Sequence, residues 1–296
     1  MADPPRSVAE VGCNHSGDMN IARELVVAAA QFCKADVVKF QKRCPQELLT
    51  TDEFDAPHPN PMHAYGETYG AHREFLEFNI DQHGRIQDWC VELGIEYSCS
   101  VWDTTSAREI TSLDPAFIKI PSACNLHWEM LDYLCVNYRG EIHLSFGMTT
   151  HEEEDEIVQF FESRGRIGDL VVYSCTSGYP VAFEDICLLE ITRLKKKLDG
   201  RVKAVGFSGH HLGIAADVAA MTLEAQWIER HFTLDRTWKG TDHAASLEPD
   251  GMRRLTRDLR NVRRALRGKD QEVLEVERIQ RDKLKFTKRE HRADCD

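Results

Sequence analysis

The chain has 296 residues, 42% hydrophobic and 29% charged, which describes a globular protein with ample material for a core. Its 49 acidic against 37 basic residues leave a formal net charge of −12, which argues against a nucleic-acid or anionic-membrane partner. Residues 1–6 are too short and polar for a signal peptide, no apolar run approaches the ~18 residues of a membrane span, and the ten cysteines include no CxxC pair, so the expected compartment is the reducing cytosol.

Residues 8–11 read as a first strand, ending in Glu10-Val-Gly-Cys-Asn-His-Ser-Gly17. Asp18 can cap a helix whose apolar face is Ile21, Leu25, Val26, Ala29 and Phe32. A second strand at 36–40 carries Lys39 and leads to Gln41. Residues 42–80 then form one long irregular region with four prolines and several aromatics, a length typical of lids and binding loops or of a surface excursion. Regular alternation follows. Strands at 96–99, 117–120, 142–145, 170–174, 204–207 and 226–231 are separated by helices at 81–93, 104–113, 126–138, 151–162, 185–198 and 215–223. Thr150 can cap the helix at 151–162, and a last helix at 250–267 carries Met252, Leu255, Leu259, Val262 and Leu266 on one face.

Eight strand–helix alternations with short links give a parallel sheet, and eight favour closure into a (β/α)8 TIM barrel, class α/β. An open doubly wound sheet is the alternative, but no GxGxxG follows the first strand. The expected domain division is a single barrel over 1–275 and a charged C-terminal extension over 276–296.

Active sites of such barrels lie at the C-terminal ends of the strands. Read in order, those ends supply Glu10 and Asn14; Lys39 and Gln41; Ser100 and Asp103; Lys119 and Ser122; Ser145; Ser174, Thr176, Ser177 and Tyr179; Ser208 and His210; and His231. His210 and His231 stand at the same end of neighbouring parallel strands, about 5 Å apart, where both imidazoles can face one divalent ion; bonds from either ring to nearby backbone are the plainer possibility. Lys39 and Lys119 sit inside apolar strands, where a free ammonium is costly. They bind anions, or one of them forms a Schiff base, or they point outward at a strand edge. Glu10 suits a general base or a salt bridge to one of the lysines. Asp242 and His243, after the last strand, can complete a metal shell or bind substrate hydroxyls, and Tyr179 shapes the pocket wall. Two cations, a carboxylate and an imidazole pair suit an anionic, phosphate-bearing substrate reacting with a polarised carbonyl.

Several of these stretches are familiar. Ala9-Glu-Val-Gly-Cys-Asn-His-Ser-Gly17, Val38-Lys-Phe-Gln41, Ser174-Cys-Thr-Ser-Gly-Tyr-Pro180, Phe207-Ser-Gly-His210, Glu229-Arg-His-Phe-Thr-Leu-Asp235 and Trp238-Lys-Gly-Thr-Asp-His-Ala-Ala-Ser-Leu-Glu-Pro249 resemble the sialic acid synthase (N-acetylneuraminate synthase) family, in order and spacing, over about residues 8–268. The resemblance implies condensation of phosphoenolpyruvate with the open-chain aldehyde of an N-acetylmannosamine-like aldose, giving a nonulosonic acid and inorganic phosphate. It implies Mn2+ or Mg2+ on His210 and His231, with Glu10 at the cationic carbon or its water. Lys39, Lys119, Ser122 and Ser145 then hold phosphoenolpyruvate, and Gln41, Tyr179 and Asp242 face the sugar. A homodimer is also expected. Cys124 replaces the family's usual acid, Pro121 a glycine and Phe146 a small hydroxyl residue. The chain shows no counterpart of the family's small antifreeze-like C-terminal domain, which lends the partner subunit an arginine near the N-acyl group, so a non-N-acylated aldose stays open. A keto-acid aldolase with Lys119 as Schiff-base nucleophile is the other alternative.

Overall fold

A computed structural model describes residues 3–286. Its frame is a closed barrel of eight parallel strands, each paired with the next and the eighth returning to the first. They are β1 (Arg6–Gly12), β2 (Val37–Lys42), β3 (Glu96–Val101), β4 (Phe117–Ile120), β5 (Glu141–Ser145), β6 (Leu170–Cys175), β7 (Ala204–Gly209) and β8 (Trp227–His231). Helices on the outside link them, as the alternation of apolar runs implied. No helix among the described residues is long and apolar enough to cross a membrane.

The buried apolar residues fall into two clusters with different tasks. The larger joins the outer faces of the strands to the helices, through Val38, Phe40, Ile118, Leu144, Val172 and Ile228 against residues such as Leu25, Ile86, Leu134, Phe161 and Leu255. The smaller comprises Val8, Val37, Phe117, Val171, Tyr173, Ala204 and Trp227. Its strand members alternate with those of the larger cluster, as period-two side chains must, and plug the barrel interior. His143 lies in this plug, stacked on Phe117 at 3.8 Å and edge-on to Trp227 at 4.6 Å. The plug closes one end of the interior, so polar side chains are concentrated at the other.

Several strands run farther than their apolar residues suggest. β2 continues through Gln41 to Lys42, β3 through Ser100 to Val101, and β7 through Ser208 to Gly209. These polar residues pair in register with their neighbours, Gln41 with Ser100 and Ser208 with Glu229, so the ladder continues where the lining changes from apolar to polar. A hydropathy pattern ends too early at such a place.

Asp18 caps the helix Met19–Val27 by accepting from the Asn20 amide, and Thr150 forms a capping box with Glu153 on His151–Ser163, both as expected. Two expectations about helix faces fail. The first helix passes into a π turn, Ala28–Cys33, whose wider winding rotates later side chains and leaves Phe32 half exposed. The last barrel helix stops at Ala265, leaving Leu266 beyond its end and half exposed. The region 42–80 is not irregular throughout. It holds the short helices Pro45–Leu48, Thr51–Asp55 and Tyr69–Leu76 and a 3-10 turn, Pro61–His63. None is long enough to show a 3.6-residue pattern. Within the supposed extension, Glu275–Leu284 is helical, and residues 287–296 lie outside the described part.

Candidate active site

The polar strand ends enclose an inner pocket of about 260 Å³ lined by Glu10, Lys39, Gln41, Ser100, Lys119, Ser122, Ser145, Ser177, Tyr179, Ser208, His210, Glu229 and His231. Lys39 and Lys119 point inward and are each only 2% exposed. Neither ammonium is free. Lys39 is paired with Glu10 and donates to Ser100 Oγ at 2.6 Å, with Glu229 at 3.8 Å. Lys119 donates to both Glu229 oxygens at 3.1 and 3.2 Å and lies 3.8 Å from the centre of the Tyr173 ring. Ser208 also donates to Glu229, at 3.0 Å. The two cations therefore face two anions in a quartet that is charge-balanced and nearly sealed from water.

The two carboxylates differ in their titration. Burial pushes Glu10 up to about 7, in spite of Lys39 beside it. Burial opposes the charge on Glu229 as well, but Lys119, Lys39 and the bonds from Lys119 and Ser208 outweigh it and hold that carboxyl well below the usual range. Burial likewise opposes the charge on Lys39, yet Glu10 and Glu229 raise it on balance. On Lys119 burial prevails over Glu229 and lowers it. Glu229 is thus a fixed anion, and Glu10 is the carboxylate whose proton is in play near neutral pH.

The imidazoles of His210 and His231 lie 5.4 Å apart, centre to centre. His210 Nδ1 donates to the Thr176 carbonyl at 2.9 Å, which fixes the tautomer and leaves a lone pair on Nε2. His231 Nδ1 is buried with no hydrogen-bond partner, and its nearest carboxylate oxygen, Asp242 Oδ2, is 3.8 Å away. Burial keeps His231 neutral by lowering its pKa. An orphaned ring nitrogen beside an oriented imidazole fits a borderline divalent ion. Among the described residues no group of three or more His, Cys, Asp or Glu side chains is arranged to hold a metal, so the nitrogen donors on offer here are these two imidazoles.

Gln41, Trp102, Tyr179 and His231 also line a second, outer chamber of about 250 Å³, so the two spaces adjoin across these side chains. Asn14, Asp242 and His243 belong to this outer chamber. Asn14 is a strut, donating to the Phe232 carbonyl and to Ser246 Oγ, both at 2.9 Å. His243 is buried against Thr233 Oγ1 at 2.7 Å. Asp242 has the freer carboxylate. Gln41 bridges the chambers, donating to Glu10 at 3.0 Å and accepting from Arg43 at 2.8 Å. Tyr179 packs its ring 4.3 Å from that of His210 and forms the wall.

Three candidates from the sequence lie elsewhere. Thr176 lines neither chamber: its hydroxyl donates to Asp185 O, and its part is to orient His210 through its carbonyl. Ser174 is on the outward phase of β6, where Tyr173 and Cys175 take the inward one. Asp103 caps the helix Thr104–Thr111 and accepts from the Cys44 amide. The Gly147 amide donates to Ser122 Oγ at 3.0 Å. A Cβ at Gly147 would come 2.6 Å from that oxygen, so only glycine leaves room there.

Glu229 is the main residue that hydropathy overlooked. It stands two places before His231 on β8, hence on the same face, and that spacing was legible. Arg230 between them faces outward and is buried with Asp217 at 2.5 Å. Trp102, Arg43, Arg73 and Lys239 gave no local signal, since four different segments bring them together.

A sequence model of the NeuB family matches residues 25–271. The chain is 34% identical over 277 residues to N-acetylneuraminate-9-phosphate synthase of Homo sapiens, covering 94% of this chain and 75% of that protein. It is 31% identical to N,N'-diacetyllegionaminic acid synthase of Campylobacter jejuni, covering 88% and 76%. Among solved structures, the N-acetylneuraminic acid (sialic acid) synthetase of Leptospira borgpetersenii, in complex with citrate, superimposes with a TM-score of 0.79 at 25% identity, covering 95% of this chain and 93% of that one.

Proposed function

The chain belongs to the NeuB family, and on that footing we propose that it condenses phosphoenolpyruvate with the open-chain aldehyde of an N-acetylmannosamine-like aldose, yielding a sialic-type nonulosonic acid and inorganic phosphate. The observation that carries this is the buried quartet of Glu10, Lys39, Lys119 and Glu229 set beside the His210–His231 pair.

Lys39 and Lys119 bind the phosphate and carboxylate of phosphoenolpyruvate, exchanging part of their contact with Glu10 and Glu229 for the ligand, and Ser122 and Ser145 donate hydroxyls beside them. Tyr179, Gln41 and Asp242 orient the aldose so that its carbonyl carbon meets C3 of the enol. His210 and His231 would hold a divalent ion such as Mn2+ or Mg2+, which would supply Lewis-acid polarisation of the aldehyde oxygen. As the new carbon–carbon bond forms, positive charge develops at C2, and the Glu10 carboxylate faces it from within the pocket. Glu10 then takes a proton from the water that adds to C2, a role suited to a carboxyl whose pKa is pushed up to about 7. The C2–O bond to phosphate breaks, and the Lys39 and Lys119 ammonium groups stabilise the departing anion.

One observation favours the aldolase alternative: burial lowers the pKa of Lys119, as a Schiff-base lysine requires. Glu229 at 3.1 Å opposes it by stabilising the ammonium form. Borohydride inactivation in the presence of pyruvate distinguishes the two. The test of the condensation is phosphate release from phosphoenolpyruvate with an aldose panel, with product masses, on the wild type and on His231→Ala. The variant is expected to unfold cooperatively in urea, to lose bound Mn2+, and to turn over at least ~100-fold more slowly; full activity would overturn the assignment.

A further inference from the structure

The ladder between β7 and β8 ends at Gly209 and Arg230, one residue short of the two imidazoles. Each imidazole is held from its far side. His231 pairs with Glu10 of β1, and its carbonyl accepts from the Leu247 amide at 2.8 Å. His210 is tied to the loop after β6: its carbonyl accepts from the Val181 amide at 3.0 Å, and its Nδ1 donates to the Thr176 carbonyl. Beyond the last ladder pair, β8 is joined to the segment after β7 by a cluster on the outer face of the barrel. It consists of Arg230, His211 and Asp217, each no more than 1% exposed. Arg230 Nη1 donates to Asp217 Oδ2 at 2.5 Å and to the Gly213 carbonyl at 2.7 Å, and Nη2 donates to the His211 carbonyl. His211 Nε2 lies 3.2 Å from Arg230 Nη1 and 3.3 Å from Asp217 Oδ2. Asp217 stands in the first turn of the helix Ala215–Thr222. One guanidinium, on the residue before His231, therefore grips both the backbone that follows His210 and the helix beyond it.

We propose that Arg230 and Asp217 are positioning residues: from outside the pocket they set the spacing of His210 and His231, and with it the affinity of that pair for a divalent ion. The inference rests on the divalent-ion reading of the imidazoles given above. Metal–imidazole bonds are short, roughly 2 Å for zinc, so an ion shared by two strand ends is sensitive to how far apart those ends are held. A guanidinium suits the task because its donors fork in one plane and can serve two carbonyls and a carboxylate together. Stability alone is a poor reason for the cluster. Apolar side chains of the same volume are often as stable as a buried ion pair, and here Arg230 Nε and Asp217 Oδ1 are left without hydrogen-bond partners.

The test measures Mn2+ binding to metal-stripped protein by electron paramagnetic resonance, together with urea unfolding, on wild type, Arg230→Met, Asp217→Asn and Arg166→Met. Arg166 is the matched control. It is also buried, is paired with Asp169 and donates to the carbonyls of Cys135, Tyr138 and Gly140, but it precedes β6 at the opposite end of the barrel from the imidazoles. Arg230→Met should weaken Mn2+ binding about tenfold or more, and Asp217→Asn less, because it leaves the two carbonyl bonds of Arg230 in place. Arg166→Met should lower the urea midpoint while its Mn2+ Kd stays within about twofold of wild type, since destabilisation alone does not change the affinity of the folded molecules. Turnover lost in Arg230→Met should return at saturating Mn2+, with the KM for phosphoenolpyruvate near wild type. An unchanged Mn2+ Kd in both Arg230→Met and Asp217→Asn, or an equal loss in Arg166→Met, would overturn the positioning role and leave the divalent-ion reading standing. A wild type that binds no Mn2+ would overturn that reading and this role with it. Asp217→Asn keeps the size of the side chain and decides the matter if Arg230→Met does not fold.

Discussion

Replacing Glu229 with Gln keeps the shape of the side chain and removes its charge, which isolates what that charge does. Among the described residues Glu229 is the only carboxylate in contact with Lys119, at 3.1 Å, and the lysine is 2% exposed. Without it, Lys119 has the Tyr173 ring face and an amide oxygen for company. Removing one partner of a buried pair costs roughly 3–5 kcal/mol. The lysine can escape by losing its proton, and from an ordinary pKa near 10.4 this caps the penalty at about 4.6 kcal/mol at pH 7 and about 1.9 kcal/mol at pH 9. The sign follows from proton counting. If the variant folds with Lys119 neutral, the unfolded state binds one more proton, so folding stability rises with pH by about 1.4 kcal/mol per unit. Urea denaturation at pH 7 and pH 9 therefore should show a loss of about 3 kcal/mol or more at the lower pH and under about 2 kcal/mol at the higher. A loss below ~1 kcal/mol at pH 7, with no dependence on pH, would refute the idea that Glu229 compensates Lys119.

Two further outcomes follow from neighbouring residues. Tyr173 offers its ring face to Lys119 at 3.8 Å, so Tyr173→Leu should raise the KM for phosphoenolpyruvate about 3- to 10-fold while Tyr173→Phe, which keeps the ring, should stay near wild type; equal effects in the two variants would show the ring to be irrelevant. Burial pushes His15 and His83 down to about 3, against about 6.5 when unfolded, so the unfolded state takes up more protons between these values. Stability present above pH 6.5 should then fall steadily toward pH 3, and His83→Gln should make the urea-derived slope shallower by about 1.4 kcal/mol per pH unit between pH 6 and 4; an unaltered slope would mean His83 is protonated in the native state.

The barrel was legible because its evidence is local. Apolar runs of strand length alternate with amphipathic helices, and a period of two at β8 places Glu229 and His231 on one face. The site was legible at the level of residue type for the same reason: a Lys within Val-Val-Lys-Phe or Phe-Ile-Lys-Ile has to be doing something other than meeting water. What could not be read was the pairing. Lys119 and Glu229 are 110 residues apart and Lys39 and Ser100 are 61 apart, and only closure of the barrel makes them neighbours. The outer chamber was hidden more deeply, because Arg43, Arg73 and Lys239 come from the segment after β2, a short helix and the loop after β8. In a charged surface stretch such residues look like ordinary solvated cations.

The contrast between the two chambers has a consequence for how ligands are chosen. In the inner pocket an entering anion meets no net attraction, because Glu10 and Glu229 already satisfy the lysines; it must replace those contacts with better-aligned ones, which favours a ligand whose two anionic groups fit the spacing of Lys39 and Lys119. In the outer chamber the cations are in partial contact with water and have no carboxylate to displace, so attraction acts before contact and with less demand on fit. Salt should therefore weaken binding at the outer chamber more than at the inner one, since partly exposed charges are screened and buried pairs are not. A ligand can therefore be drawn in by charge at the outer chamber and aligned by fit at the inner one.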